Sequence, residues 1–146
     1  MSSFLDKIKG KIENEISDKA KDDRREKRPV GFIQLDVDVF LTFDHVYVFA
    51  LIPGVFLEDL DIAIEEDNDI LTIQGKRLMP TEEGMPDFSK KGNEDIKVLR
   101  QELQWGAFYR QIILPQEVSL TGVEAKVNKG ILIVKLPLLK IRNKGK

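Results

Sequence analysis

The sequence offers few of the side chains on which most enzymes and metal sites depend. It contains no cysteine and a single histidine, His45. The lack of cysteine excludes disulfides, thiolate metal sites and cysteine nucleophiles within the chain. One histidine cannot form a histidine-rich metal site, and a serine–histidine–aspartate triad would have to use it. Only paired carboxylates remain for catalysis, and no pair stands in an evident cleft. We therefore predict a protein that is not an enzyme and that binds no metal or cofactor.

Length and composition predict one folded domain with an additional arm. The chain has 146 residues, of which 42% are hydrophobic and 33% are charged. It has no apolar run near the ~20 residues that a membrane-spanning helix requires, and its N-terminus has no apolar signal core. These features predict a cytoplasmic location.

Charge is distributed unevenly along the chain. Residues 29–75 contain ten acidic and no basic side chains, whereas residues 76–146 carry a net charge of +6. Nucleic-acid binding is disfavoured because the basic residues are not interleaved with aromatic ones and the acidic block would repel phosphate. The two blocks either keep the protein soluble or attract each other across a subunit interface.

Residues 1–28 have the pattern of an amphipathic helix. Apolar residues spaced three or four apart lie on one helical face, and with the adjacent Phe4 they form the N-terminal stripe: Phe4, Leu5, Ile8, Ile12 and Ile16. This face must pack against another arm, the rest of the chain, a client protein or a membrane. Pro29 closes the segment because proline disfavours helix in the residue before it.

After Pro29 the apolar period changes from 3.6 to 2, which predicts β-strands. The predicted strands cover residues 33–39, 45–52, 60–65, 70–74, 107–114, 123–127 and 131–136. Asn128-Lys129-Gly130 predicts a three-residue hairpin loop. Short strands with frequent turns predict an antiparallel β-sandwich over residues 29–137, followed by a short basic tail, residues 138–146.

A long polar connection follows the fourth predicted strand. Residues 78–95 exceed the length of an ordinary loop, which favours a functional role. Residues 95–101 carry a pattern typical of a further short strand.

Four stretches, in order and on separate predicted strands, resemble the small heat-shock protein family and its shared alpha-crystallin domain. They are Leu51-Ile52-Pro53-Gly54-Val55, Leu71-Thr72-Ile73-Gln74-Gly75, Gly106-Ala107-Phe108-Tyr109-Arg110 and Asn128-Lys129-Gly130-Ile131-Leu132. The resemblance covers about residues 29–137. It implies an immunoglobulin-like sandwich and an ATP-independent holdase that keeps partly unfolded client proteins soluble.

The resemblance also implies a homodimer and the residues that form it. Prokaryotic and plant members exchange a short strand of the long loop, which pairs with the partner's first strand. Here residues 95–101 would pair with residues 33–39, because an unpaired edge strand invites a partner. The implied interface residues are Ile33, Leu35, Val37, Ile96, Val98 and Arg110, the last at the family's characteristic arginine position. Arg110 would form an ion pair or bind backbone carbonyls, unless it lies on a solvated strand face.

Two further sites follow from the resemblance. An edge groove is expected between Leu60, Ile62 and Ile64 on one strand and Val123, Ala125 and Val127 on another, where the alternative is ordinary core packing. The family's C-terminal tail usually carries an isoleucine-x-isoleucine motif that fills this groove on a neighbouring dimer and supports larger oligomers. Leu139 and Ile141 are the candidate plug, but they follow Pro137 so closely that extending the last strand's packing is an equal interpretation.

A second function class remains as the alternative. The protein could be a membrane-surface or scaffold protein that uses the sandwich only for assembly. Lys7, Lys9 and Lys11 favour anionic lipid, whereas Glu13 and Glu15, which follow at once, oppose it.

Overall fold

The computed structural model describes residues 24–65, 67–90, 92 and 95–140. Eight strands form this part of the chain: β1 Ile33–Gln34, β2 Val37–Leu41, β3 His45–Leu51, β4 Asp61–Glu65, β5 Ile70–Arg77, β6 Gly106–Ile113, β7 Glu124–Asn128 and β8 Ile131–Pro137. Helical structure among these residues is limited to two 3-10 turns, Leu57–Asp59 and Leu120–Gly122. The all-β prediction is confirmed.

The strands form two four-stranded sheets. The first sheet has the order β1-β6-β5-β4 and the second has the order β2-β3-β8-β7. All neighbouring strands are antiparallel except β1 and β6. The core lies between the sheets, where Leu71 and Ile73 of β5 pack with Val46, Val48 and Val134 of the second sheet. The period-2 pattern therefore identified the side chains that face inward.

The predicted first strand, residues 33–39, is wrong as a single element. It is divided into β1, which pairs with β6, and β2, which pairs with β3 in the opposite sheet. Leu35 lies between them, is buried in the core, and donates its N–H to the Tyr109 carbonyl at 3.3 Å. The chain crosses from one sheet to the other here, so the alternating pattern continues while the pairing partner changes.

The β7–β8 hairpin also differs from the prediction. Asn128 pairs directly with Ile131, which leaves a loop of two residues, Lys129 and Gly130, in place of three. Both have positive φ, 55° and 76°, as in the type I′ turn that suits the twist of hairpin strands. Glycine is also required by space at position 130, because an added Cβ would lie 2.9 Å from the Pro53 Cα atom.

The predicted strand 95–101 and the described end of the predicted N-terminal helix do not form these elements in the structure. The connection from β5 to β6 spans residues 78–105, and the described residues of the predicted strand 95–101 form no strand within the single chain. The predicted N-terminal helix falls mostly outside the described residues. Residues 24–28, its described end, are not helical.

The free edge of β6 is covered by the chain that precedes β1. The Glu26 carboxylate accepts a hydrogen bond from the Ile113 N–H at 3.0 Å, and the Lys27 N–H donates to the Gln111 side chain at 2.8 Å. After a turn at Val30 and Gly31, β1 pairs with the other end of β6. The edge is therefore protected along its length without a full neighbouring strand.

Arg110 of β6 connects this covering segment to the sandwich. Its half-buried guanidinium donates to the Leu35 carbonyl at 3.0 Å and lies 3.7 Å from the Glu26 carboxylate. In β6 it lies opposite Ile73, a core residue of β5. The arginine satisfies a carbonyl at the point where the chain leaves the first sheet, which a strand ladder cannot do there.

Replacing this arginine should loosen the crossover between β1 and β2. We expect Arg110→Ala to lower the free energy of unfolding by about 1–3 kcal/mol, because the Leu35 carbonyl loses a charge-assisted bond. Arg110→Lys should recover part of the loss, and Lys126→Ala, at an exposed position of β7, should have little effect. Chemical denaturation measures the free energy of unfolding, and sedimentation velocity shows whether the loosened crossover also changes assembly. An Arg110→Ala protein with unchanged unfolding and sedimentation would contradict this role.

Candidate functional site

Strand β2 presents an unpaired edge that carries apolar side chains. Among the described strands it pairs with β3 alone, so the backbone groups on its other side face outward. Val39, Phe40 and Leu41 are all exposed, and the ring of Phe40 lies 5.6 Å from that of Phe49. An exposed, apolar strand edge is a template for pairing with another polypeptide.

The long connection, residues 78–105, carries strongly exposed apolar side chains. Val98 and Leu99 are 68% and 93% exposed. Ile96 is half-buried and lines a cavity of about 420 Å³, together with Phe88 and Trp105. Ile96, Val98 and Leu99 lack the strand pairing that the sequence predicts for residues 95–101, and solvent contacts most of the surface of Val98 and Leu99.

The predicted dimer residues occupy different places in the single chain. Ile33 lies in β1 of the first sheet, Leu35 in the core at the crossover and Val37 at the start of β2. Ile96 and Val98 lie in the long connection. Of the predicted receiving segment, only the part from Val37 onward offers an open edge.

The predicted groove residues lie on the edge strands of opposite sheets or, for Leu60 and Val123, directly before them. Strand β4 ends the first sheet and β7 ends the second, on the side away from β1 and β2. Leu60, Ile62, Ile64, Val123 and Val127 are partly buried and pack against the core, whereas Ala125 is exposed. Most of this apolar surface therefore belongs to the core, and its rim remains available to another chain.

The candidate tail plug is only partly described. Leu139 is exposed, and its N–H donates to the Glu117 carbonyl at 2.9 Å. Ile141 lies outside the described residues. Leu138, which precedes them, is buried and forms a bridge with Val118.

Two features were not predicted from the sequence. One is the aromatic outer surface of β2 and β3, where Phe40, Tyr47 and Phe49 point away from the core; the continuously apolar sequence of β3 was its signal. The other is an ion pair of Arg24 with Asp69, whose atoms lie 2.7 Å apart. Residues so distant in sequence give no local signal. His45 contacts Asp44 at 2.9 Å, in keeping with a structural role.

The described residues contain no cluster of three or more histidine, aspartate or glutamate side chains able to hold a metal ion. In the same part of the chain, no helix is long and apolar enough to cross a membrane.

The chain matches the model of the Hsp20/alpha crystallin family over residues 40–146. It is 28% identical over 135 residues to a 19.0 kDa class II heat shock protein of Oryza sativa subsp. japonica, covering 92% of this chain and 74% of that protein. It is 34% identical over 94 residues to a 17.7 kDa class II heat shock protein of Arabidopsis thaliana, covering 64% of this chain and 54% of the relative. The chain thus spans between half and three-quarters of these relatives.

Solved structures show the same fold. Heat shock protein 16.0 from Schizosaccharomyces pombe superposes with a TM-score of 0.59 at 26% identity, covering 78% of this chain and 94% of that one. A small heat-shock protein from Xylella fastidiosa, described as having a distinct high order structure, gives 0.54 at 25% identity, with 77% and 89% covered. The two-sheet sandwich and the family match lead to one conclusion: the chain belongs to the Hsp20/alpha crystallin family of small heat-shock proteins, which are chaperones.

Proposed function

We propose that this protein is an ATP-independent holdase that binds partly unfolded client proteins through apolar surface and prevents their aggregation. The observation that carries the proposal is the presence of large exposed apolar side chains on the sandwich, among them those on the unpaired edge of β2 and in the connection between β5 and β6. Exposed apolar surface of this kind marks a site of interaction with other chains. Membership of a chaperone family agrees with this function.

We further propose that two subunits form a homodimer by loop-strand exchange, and that larger homo-oligomers can follow. Residues 95–101 of one subunit would add to the open edge of β2 in the other. The edge supplies backbone donors and acceptors, and the added segment would bury Val98, which is largely exposed in the single chain. Lys97 and Arg100 would approach Asp36 and Asp38 at the edge of the acidic block, which favours the pairing electrostatically.

The groove between β4 and β7 is the proposed site for a second kind of contact. An extended apolar segment, either of a client or of a neighbouring subunit's tail with Leu139 and Ile141, would cover its rim. We also propose a cytoplasmic location, where such clients are synthesised. The N-terminal stripe would contribute further client-binding or oligomer contacts.

The exchange predicts a selective effect of a charge in the loop. Val98→Asp should raise the dimer dissociation constant at least tenfold, because an unpaired carboxylate would be buried beside the acidic β2. The unfolding transition of the diluted subunit should not change, since Val98 is 68% exposed there. Leu78→Asp, also at an exposed position but outside the exchanged segment, is the matched control. Sedimentation velocity over a concentration series gives the dimer dissociation constant of each variant. Equal dimerisation of Val98→Asp and wild type would refute the exchange.

The holdase function predicts ATP-independent suppression of aggregation. Light scattering of a heat-aggregating model client should fall when the protein is added at sub-stoichiometric to equimolar amounts without ATP. Ala125→Asp should weaken this suppression several-fold, because it places a charge in the apolar groove. Lys126→Gln changes the net charge by the same amount on the opposite face of β7 and should act as wild type.

The outcomes separate the two parts of the proposal. A wild-type protein that leaves scattering unchanged at equimolar amounts would rule out the holdase function. An Ala125→Asp protein that suppresses aggregation as well as wild type would rule out only the groove as a client site.

A further inference from the structure

The middle of the outer face of the first sheet is buried, although the second sheet lies on its other side. Because Leu71 and Ile73 point into the core, Thr72 of β5 points outward, as does Gln111, its partner in β6. Their exposed fractions are only 0% and 1%, and outward-facing Tyr109 is 2% exposed. In a two-layer sandwich, one face of each sheet normally meets solvent. A layer of polypeptide must therefore cover this face.

The second sheet provides an internal comparison. Its central strands β3 and β8 also carry outward-facing side chains, among them Tyr47, Phe49, Ile133 and Lys135. All four are only half-buried. Position in a central strand is therefore not enough to bury a side chain on an outer face of this molecule.

Part of the covering layer is visible in residues 24–32. The Lys27 N–H donates to the Gln111 side chain at 2.8 Å, and the Phe32 ring lies 5.7 Å from that of Tyr109. At the other end, two guanidinium nitrogens of Arg24 donate to the Asp69 carboxylate at 2.7 and 3.2 Å. This segment runs over β6 and reaches the turn between β4 and β5, so the chain before Arg24 arrives at the edge of the same face.

We propose that residues 1–23 of the same chain complete this layer, with the N-terminal stripe packed on the outer face of β4, β5 and β6. The dimensions agree. As an α-helix, residues 5–20 would extend about 24 Å, and the eight residues of β5 extend about 26 Å. A helix about 10 Å wide spans two to three strands spaced about 4.8 Å apart.

The chemistry of the covered face supports an occupant with both apolar and polar groups. Ile70 and Thr72 provide apolar surface for the stripe. The Gln74 Oε1 and Gln111 Nε2 atoms are buried and have no hydrogen-bond partner among the described residues, and such groups are costly unless paired. Burial raises the pKa of the Tyr109 hydroxyl to about 12, and the Glu65 charge adds to the shift, which agrees with a face kept dry.

This docking would hide the arm's apolar face within its own subunit. The bidentate Arg24–Asp69 pair would hold the end of the arm, and its release would expose the stripe together with the sheet face beneath it. The released arm would also supply additional client-binding surface. This consequence rests on the proposed holdase function. The docking itself does not depend on that function.

The absence of cysteine from the chain allows a direct test in the full-length protein. Ile12→Cys is combined with Ala63→Cys, and the double variant is treated with a short bis-maleimide. Ala63 lies on the outer face of β4, opposite Thr72. Ile12→Cys combined with Lys126→Cys, on the outer face of the second sheet, is the control. We expect the first pair to give at least tenfold more cross-link within one chain than the control once all thiols have reacted, detected by intact-mass spectrometry as a monomer bridged by one linker.

Equal yields of intrachain cross-link for the two pairs, or cross-links formed only between chains, would overturn the docking. A second readout guards against variants that distort the arm. Ala63→Cys alone is the background for this readout. Adding Ile8→Asp and Ile12→Asp together should raise the reactivity of the introduced thiol at position 63 towards a monofunctional maleimide at least tenfold, whereas adding Lys9→Asp should not. Unchanged reactivity would also overturn the docking. Neither measurement uses a client, so their failure would leave the holdase function standing.

Discussion

The unpaired edges of two small sheets are the constraint on which the rest of this structure depends. Within the described part of the chain, each sheet ends in strands with no further strand beside them, and such edges attract other chains. The β6 edge is covered by residues 24–34, with Arg110 satisfying the Leu35 carbonyl where the ladder stops. At the β4 and β7 edges the apolar side chains are partly buried, apart from that of Ala125. Among the described edge strands, β2 combines an open edge with large exposed apolar side chains, which supports it as the proposed place for assembly.

This division links stability with function. The paired strands and their core are formed within one chain. We propose that the open edge, the apolar connection and the arm provide surface whose exposure can change while this sandwich stays folded. A holdase needs this separation, because it must present apolar surface to clients while its own core stays folded. It also agrees with a sequence that has no cysteine and a single histidine.

The sequence predicted most strands because each has one face towards the core, and burial imposes the period of two. It failed where pairing depends on distant residues. Residues 33–39 keep their alternation while changing sheets, and the strand pairing of 95–101 would need a second chain. The length of the hairpin loop was overestimated by one residue because Lys129 adopts a positive φ, which is unusual for lysine. Thr72 and Gln111 look like solvent-exposed residues by type, so their burial could not be predicted from local pattern.

Amide hydrogen exchange of β2 as a function of protein concentration tests the assembly claim most directly. The account predicts that the outward N–H groups within residues 37–41 are protected when dimers predominate and lose protection on dilution to subunits. The N–H groups of β3, which pair inside the sandwich, should stay protected throughout. If exchange in residues 37–41 is the same at concentrations where sedimentation shows dimers and where it shows subunits, the proposed pairing at β2 is contradicted.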